Sequence, residues 1–180
     1  MSNYVIFTDS GCDINVNLLK EWGVPYKNLN FRFNDSEKEY SNEDMEVSEF
    51  YQRMREGSVA KTSAVNVDAF SNAFEEILKE GKDILYLGFS SGLSTTFNSA
   101  RLAAKELSEK YPERKIITVD TLAASAGQGL ILKLTLDKQK EGATIEEAAA
   151  FAEDIKFKIS IWFTVDDLVY LKRGGRVSPT

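Results

Sequence analysis

The 180-residue sequence contains no histidine and only one cysteine, Cys12. Without histidine the chain cannot by itself build a Ser–His–Asp or Cys–His nucleophile, nor a histidine-ligated zinc site. One thiol makes neither an intrachain disulfide nor a thiolate cluster. Most hydrolase chemistry falls with these absences; a Ser–Lys pair survives them, but no motif points to one. Positive charge is also in deficit. The formal net charge of −6 argues against a nucleic-acid partner, which wants a basic face, and otherwise serves solubility. No apolar run approaches the roughly eighteen residues of a membrane-spanning helix, so no transmembrane segment is expected, while transient contact with a membrane surface stays open. The opening MSNYVIFTDSG lacks the basic start and apolar run of a secretory signal. With a single cysteine, a cytoplasmic location is expected.

What is present suffices for a core: 43% of residues are hydrophobic and 11% aromatic, too many for a disordered chain. Apolar runs at 4–9, 83–89 and 115–120 predict buried strands, and 24–33 alternates as a strand does. Residues 34–44 read as a charged turn region, and 58–66 as a short polar connection. Helical spacing predicts helices over 15–23, 47–57, 67–78, 96–111, 122–142 and 144–159. Gly23 and Gly57 stand as helix stops, and Thr144 with Glu147 forms a capping box. Residues 160–165 read as a further strand and 166–176 as a short helix running into glycines. Strands that lack polar alternation, interleaved with helices, predict an α/β fold with a mostly parallel sheet covered on both faces.

Ligands of such sheets sit beyond the carboxyl ends of the strands. Three polar clusters fall there: TDSGCD (8–13), GFSSGLSTT (88–96) and VDT (119–121). The second is dense in hydroxyls: Ser90, Ser91, Ser94, Thr95, Thr96 and Ser99 all lie within 88–100. A turn from strand into helix leaves backbone N–H groups unpaired, and the helix dipole favours an anion beside them. SSGLSTT is therefore suited to cradle a carboxylate or phosphate without a cation. The plain alternative is helix capping. The stretch is neither a phosphate-binding P-loop, which needs a lysine beside its last hydroxyl, nor G-x-G-x-x-G. KTS (61–63) is a second hydroxyl-bearing helix entry, with capping again the alternative. Asp9 and Asp13 are poorly disposed for a metal because Gly11 interrupts them; Asp9 is expected to bond backbone amides of a neighbouring loop. Phe70, Phe74 and Ile77, with the small residues Ala123, Ala124, Ala126 and Gly127 and nearby Leu130, are candidate walls of an apolar slot or ordinary core.

TDSGCDI, KTSAV, SSGLSTTFNSA, VDT and VDDLVYLKRGGRVS, in that order, resemble the DegV family of bacterial fatty-acid-binding proteins, which includes the FakB type. The resemblance implies a DegV-like first α/β domain over 1–159 and, from 160 to 180, the start of a second α/β domain. Family members run on past that point, and the remainder supplies a histidine at the head-group site, so the second domain is expected to be truncated here. The resemblance further implies a long-chain fatty acid such as palmitate as ligand, with Thr62 and Ser94 holding its carboxylate and Ser63 and Thr95 as neighbours. It implies no catalytic residue, no metal and no cofactor. A fatty acid kinase of the FakA type is the implied partner, converting the bound acid to acyl phosphate, with Arg173 in its docking. Three stretches depart from the family pattern: Thr95 stands where glycine is common, TSAVN replaces TSxPS, and VDT replaces VDS. Two readings remain beside the carrier: an enzyme using Asp9 or Asp120 on a small phosphorylated or carboxylated substrate, and a folded fragment without ligand.

Overall fold

Tyr4–Asp9 forms the first strand, β1, and its side chains divide between two cores. Tyr4 and Ile6 enter one, with Leu85 and Leu87; Phe7 enters the other, with Ile84 and Tyr86. A strand buried on both faces has no use for polar alternation, which is why this one reads as a continuous apolar run. The computed structural model describes residues 3–165 and 168–177.

After a 3-10 turn at Ser10–Cys12 comes α1, Val16–Trp22, opened by the Asn15 side chain and closed by Gly23 at φ +69°. The predicted strand over 24–33 is in fact two: β2, Tyr26–Lys27, and β3, Asn30–Phe33. They belong to different sheets. Between them the Leu29 N–H leaves the ladder and donates to Ser10 Oγ at 2.9 Å. The charged region 34–44 carries a short strand, β4, Glu39–Tyr40. Then follow α2, Val47–Arg55, and β5, Ala60–Ser63, a strand where the sequence suggested only a polar connection. The remaining elements are α3, Val67–Lys79; β6, Asp83–Gly88; α4, Thr96–Lys110; β7, Ile116–Asp120; α5, Ser125–Lys140; α6, Ile145–Ile155, with the Thr144–Glu147 capping box formed; and α7, Val169–Arg173.

The main sheet has the order β2-β1-β6-β7, and every neighbouring pair is parallel. Helices α3 and α4 cover one face through Phe70, Phe74 and Ala100; α5 and α6 cover the other through Ile131, Leu132 and Ala148. The mixed α/β fold with a parallel sheet between helices is thus as the sequence predicts. Phe70 and Phe74 are fully buried core, not walls of an open slot. A second sheet, antiparallel and ordered β4-β3-β5, was not legible in the sequence. Its aromatic face gathers Phe31, Phe33, Tyr40 and Phe50, with the Arg53 guanidinium 4.0 Å from the Phe33 ring centre.

Residues 160–165 form no strand. The segment has no ladder partner among the described residues, and Trp162 and Phe163 stand 93% and 79% exposed. A run of β-branched and aromatic side chains becomes a strand only when another strand is beside it. Asp166 and Asp167, the start of the short helix expected over 166–176, lie outside the described residues.

Candidate ligand-binding site

The chain leaves β1 toward β2 on one side of the sheet and leaves β6 toward β7 on the other. The connections after β1 and β6 therefore run to opposite sides, which makes the carboxyl ends of these two strands the switch point where ligands of an open parallel sheet usually sit. Asp9 and the hydroxyl-rich loop 89–95 meet there.

The loop is anchored on both flanks by carboxylates that end neighbouring strands. Phe89 donates its N–H to Asp9 Oδ2 at 2.9 Å, as expected for Asp9, and Ser91 donates to Asp120 Oδ1 at 3.2 Å. Ser90 donates to the Ala123 carbonyl at 3.0 Å. Thr121 Oγ1 donates to the Gly88 carbonyl at 2.7 Å. Close packing adds to this: a Cβ on Gly11 would come within 2.7 Å of the Phe89 ring.

Asp9 is fully buried. It accepts from the Tyr86 hydroxyl at 2.5 Å, from Phe89 and Gly11 N–H at 2.9 Å each, and from Gln128 Nε2 at 3.3 Å. Burial raises its carboxyl above the usual range, while these hydrogen bonds pull the other way. Tyr86 is held well above its ordinary value, by burial first and then by the Asp9 charge.

Beyond the anchors the loop turns on itself. Leu93 and Ser94 donate their N–H groups to the Ser90 carbonyl at 3.0 and 3.2 Å. Ser94 Oγ lies 2.9 Å from Thr96 Oγ1 and accepts the Thr96 N–H. Thr95 occupies the N-cap position of α4, but its side chain does not cap. Among the described residues, the N–H groups of Thr95, Phe97 and Asn98 find no acceptor. The entry to α4 thus presents free donors.

The second candidate segment reaches the first through one bond. Val65 donates its N–H to Thr96 Oγ1 at 3.3 Å, which joins the chain just past KTS to the partner of Ser94. Thr62 and Ser63 themselves sit on β5, exposed. The cap of α3 is Asn66, whose side chain takes the Ala69 N–H, so capping does not account for the KTS hydroxyls. An open groove of about 350 Å3 runs past them, lined by Arg32, Glu37, Glu39, Lys61, Thr62 and Ser63. Thr62, Ser63 and Thr95 are all exposed. Arg173 is exposed on α7, its guanidinium 5.6 Å from the Tyr170 ring centre. Three residues on, Arg176 Nε donates to the Leu93 carbonyl at 3.3 Å and brings this segment against the loop.

Sequence reasoning missed Tyr86 and Gln128. Tyr86 is hidden inside an apolar strand. Gln128 did carry a signal: it is an amide set between Gly127 and Gly129 in a run of small residues, and a buried amide needs partners.

Fold and loop geometry define an α/β domain that presents uncharged donors at the switch point of a parallel sheet. The chain belongs to the DegV family, matching its profile (uncharacterised protein, DegV family) over residues 3–180. It is 44% identical over 182 residues to a DegV domain-containing protein of Clostridium perfringens, covering 100% of this chain and 62% of the relative. Two solved structures are similar. One, from Thermus thermophilus, is described as a DegV family protein with fatty acid binding; the TM-score is 0.83 and the identity 32%, over 97% of this chain and 60% of that one. The other is a stearic acid-binding protein from Eubacterium ventriosum; the TM-score is 0.84 and the identity 28%, over 96% of this chain and 60% of that one. The chain thus spans about three fifths of the length of the relatives it matches. Among the described residues, no helix is long and apolar enough to cross a membrane.

Proposed function

We propose that the chain binds a long-chain fatty acid as a carrier. Uncharged O–H and N–H donors from the segment around Thr62 and Ser63 and from the Ser94–Asn98 turn grip the carboxylate, and the acyl tail is buried. The observation that carries this reading is the Val65–Thr96 hydrogen bond, which brings two hydroxyl-bearing segments together where the α4 entry has unpaired N–H groups. The fatty acid binding described for the Thermus thermophilus and Eubacterium ventriosum proteins supports the choice of ligand.

Magnitudes divide the work. Burial gives about 0.8 kcal/mol per methylene, so the tail of palmitate offers about 11 kcal/mol before the costs of association. Each hydrogen bond to the charged head contributes about 1.5–3 kcal/mol. The tail supplies most of the affinity, and Thr62, Ser63, Ser94 and Thr95 fix the head and reject ligands without an acceptor. Exposed Leu93, Leu122 and Leu130, on the loop and on segments beside it, offer an apolar start for the tail.

Neutral donors also leave the carboxylate more nucleophilic than a lysine clamp would. In this reading the head group is presented to a fatty acid kinase, which performs the phosphoryl transfer and forms the acyl phosphate. Arg173 contributes to docking that partner; its exposure and the contact of its neighbour Arg176 with Leu93 support the assignment. Denaturing mass spectrometry of the purified chain tests the reading. A stoichiometric long-chain acid, reduced in Ser94→Ala, is expected; loading unchanged by Ser94→Ala contradicts it.

A further inference from the structure

Asp9 is a buried carboxylate with no ammonium or guanidinium among its described partners. Burying such a group is expensive unless hydrogen bonds replace its water. Its role as cap of the Ser10–Cys12 turn does not need the charge, since asparagine or serine caps as well. The four donors come from four places: Tyr86 on β6, Phe89 in the loop after it, Gly11 after β1, and Gln128 on α5. Gln128 is held for its donor end alone. Its Nε2 faces Thr8 Oγ1, Asp9 Oδ1 and the Leu87 carbonyl at 3.3–3.5 Å, while its buried Oε1 has no partner among the described residues.

On the opposite flank Asp120 Oδ1 takes the Ser91 and Leu122 N–H groups. The two carboxylates consume the first and third N–H groups of the loop. The donors left over, at Thr95, Phe97 and Asn98, are those at the entry to α4.

We infer that Asp9 is a positioning residue: by clamping Phe89 it holds the 89–96 loop in the one arrangement whose free donors distinguish a carboxylate from an uncharged head group. This rests on the fatty-acid reading above for its ligand, but the clamp itself can be tested without one. Asp9→Asn keeps the volume and sets an N–H2 group against part of an all-donor shell. In the ligand-free 180-residue chain, exchange of the hydrogen-bonded amides within 89–96 is expected to quicken at least tenfold, while Leu85 and Leu87 on β6 keep their wild-type rates. Affinity for palmitate is expected to fall at least tenfold and affinity for hexadecanol to stay, so that the acid-to-alcohol ratio collapses. Tyr86→Phe removes one donor and keeps the charge; it should shift both readouts the same way by less, and it carries the test if Asp9→Asn does not fold. Wild-type exchange in the loop overturns the inference whether or not lipid binds. So does faster exchange with an unchanged acid-to-alcohol ratio, which is what a merely structural residue would give. A wild-type chain that takes up neither lipid contradicts the fatty-acid reading, and the exchange comparison then decides the clamp alone.

Discussion

Val65 and Thr96, 31 residues apart in sequence, share a hydrogen bond of 3.3 Å from backbone N–H to side-chain oxygen. Thr96 is fully buried and at the same time sits 2.9 Å from the Ser94 hydroxyl. One side chain thus couples the segment after β5 to the loop after β6, and the proposed grip on a single head group depends on that joint.

Thr96→Val keeps the shape and removes the oxygen. It leaves the Val65 N–H without its acceptor and Ser94 without its neighbour. A buried donor left unpaired costs about 1–3 kcal/mol, and urea denaturation should show a loss of that size. Ser99→Ala, one turn along α4, should change stability by less than about 0.5 kcal/mol.

Two glycines in the loops at the switch point should respond unequally to alanine. A Cβ on Gly11 would lie 2.7 Å from the Phe89 ring and 2.8 Å from Asp9 Oδ1, whereas on Gly92 the nearest atom is Ser90 Oγ at 3.5 Å. Gly11→Ala should destabilise by about 1–3 kcal/mol through overpacking. Gly92→Ala should fall within about 0.5 kcal/mol of wild type. Thermal melts of the two variants make the comparison.

Glu75 predicts part of the acid limb of stability. Hydrogen bonds from Lys110 and Tyr111, with Lys79 adding to them, lower its carboxyl from 4.5 to about 2. Between those values the unfolded chain binds more protons than the folded one, so stability rises with pH. The contribution is complete above pH 4.5 and lost as pH falls toward 2. Asp9 runs the other way: its folded value is raised from 3.8, so its contribution declines as pH climbs above that. Glu75→Gln should flatten the stability profile between pH 2 and 4.5, as read by denaturant midpoints.

Local chemistry made the helices legible. Asn15, Gly23 and the Thr144–Glu147 pair act within a few residues of themselves, so their pattern survives in one dimension. The β4-β3-β5 sheet does not announce itself. β5 is four residues, AKTS, and it becomes a strand because β3, some thirty residues earlier, lies beside it. The reverse error, at 160–165, has the same origin: β propensity without a partner strand. The split of 24–33 turns on Leu29 giving its N–H to Ser10, a tertiary contact that no pattern of apolar residues encodes.

The candidate residues were legible to a similar degree. Ser94 and Thr95 stand out because too many hydroxyls crowd one helix entry. Thr62 and Ser63 stand out as well, but as candidate caps; Asn66 takes that role because the chain continues as strand through Ser63. Asp9 announced a bond to a neighbouring loop, while its shell of Tyr86 and Gln128 was invisible, each sitting in a stretch that reads as core.

A double-mutant cycle on palmitate binding, with Thr62→Ala, Ser94→Ala and both together, measured by calorimetry, tests the grip most directly. If both hydroxyls hold one carboxylate, each single change weakens binding about tenfold or more, a hydrogen bond to a charged group being worth about 1.5–3 kcal/mol. The double change then weakens it by clearly less than the product, because the two sites are coupled through the shared head group. Losses that simply multiply, or no loss from either substitution, would contradict the account.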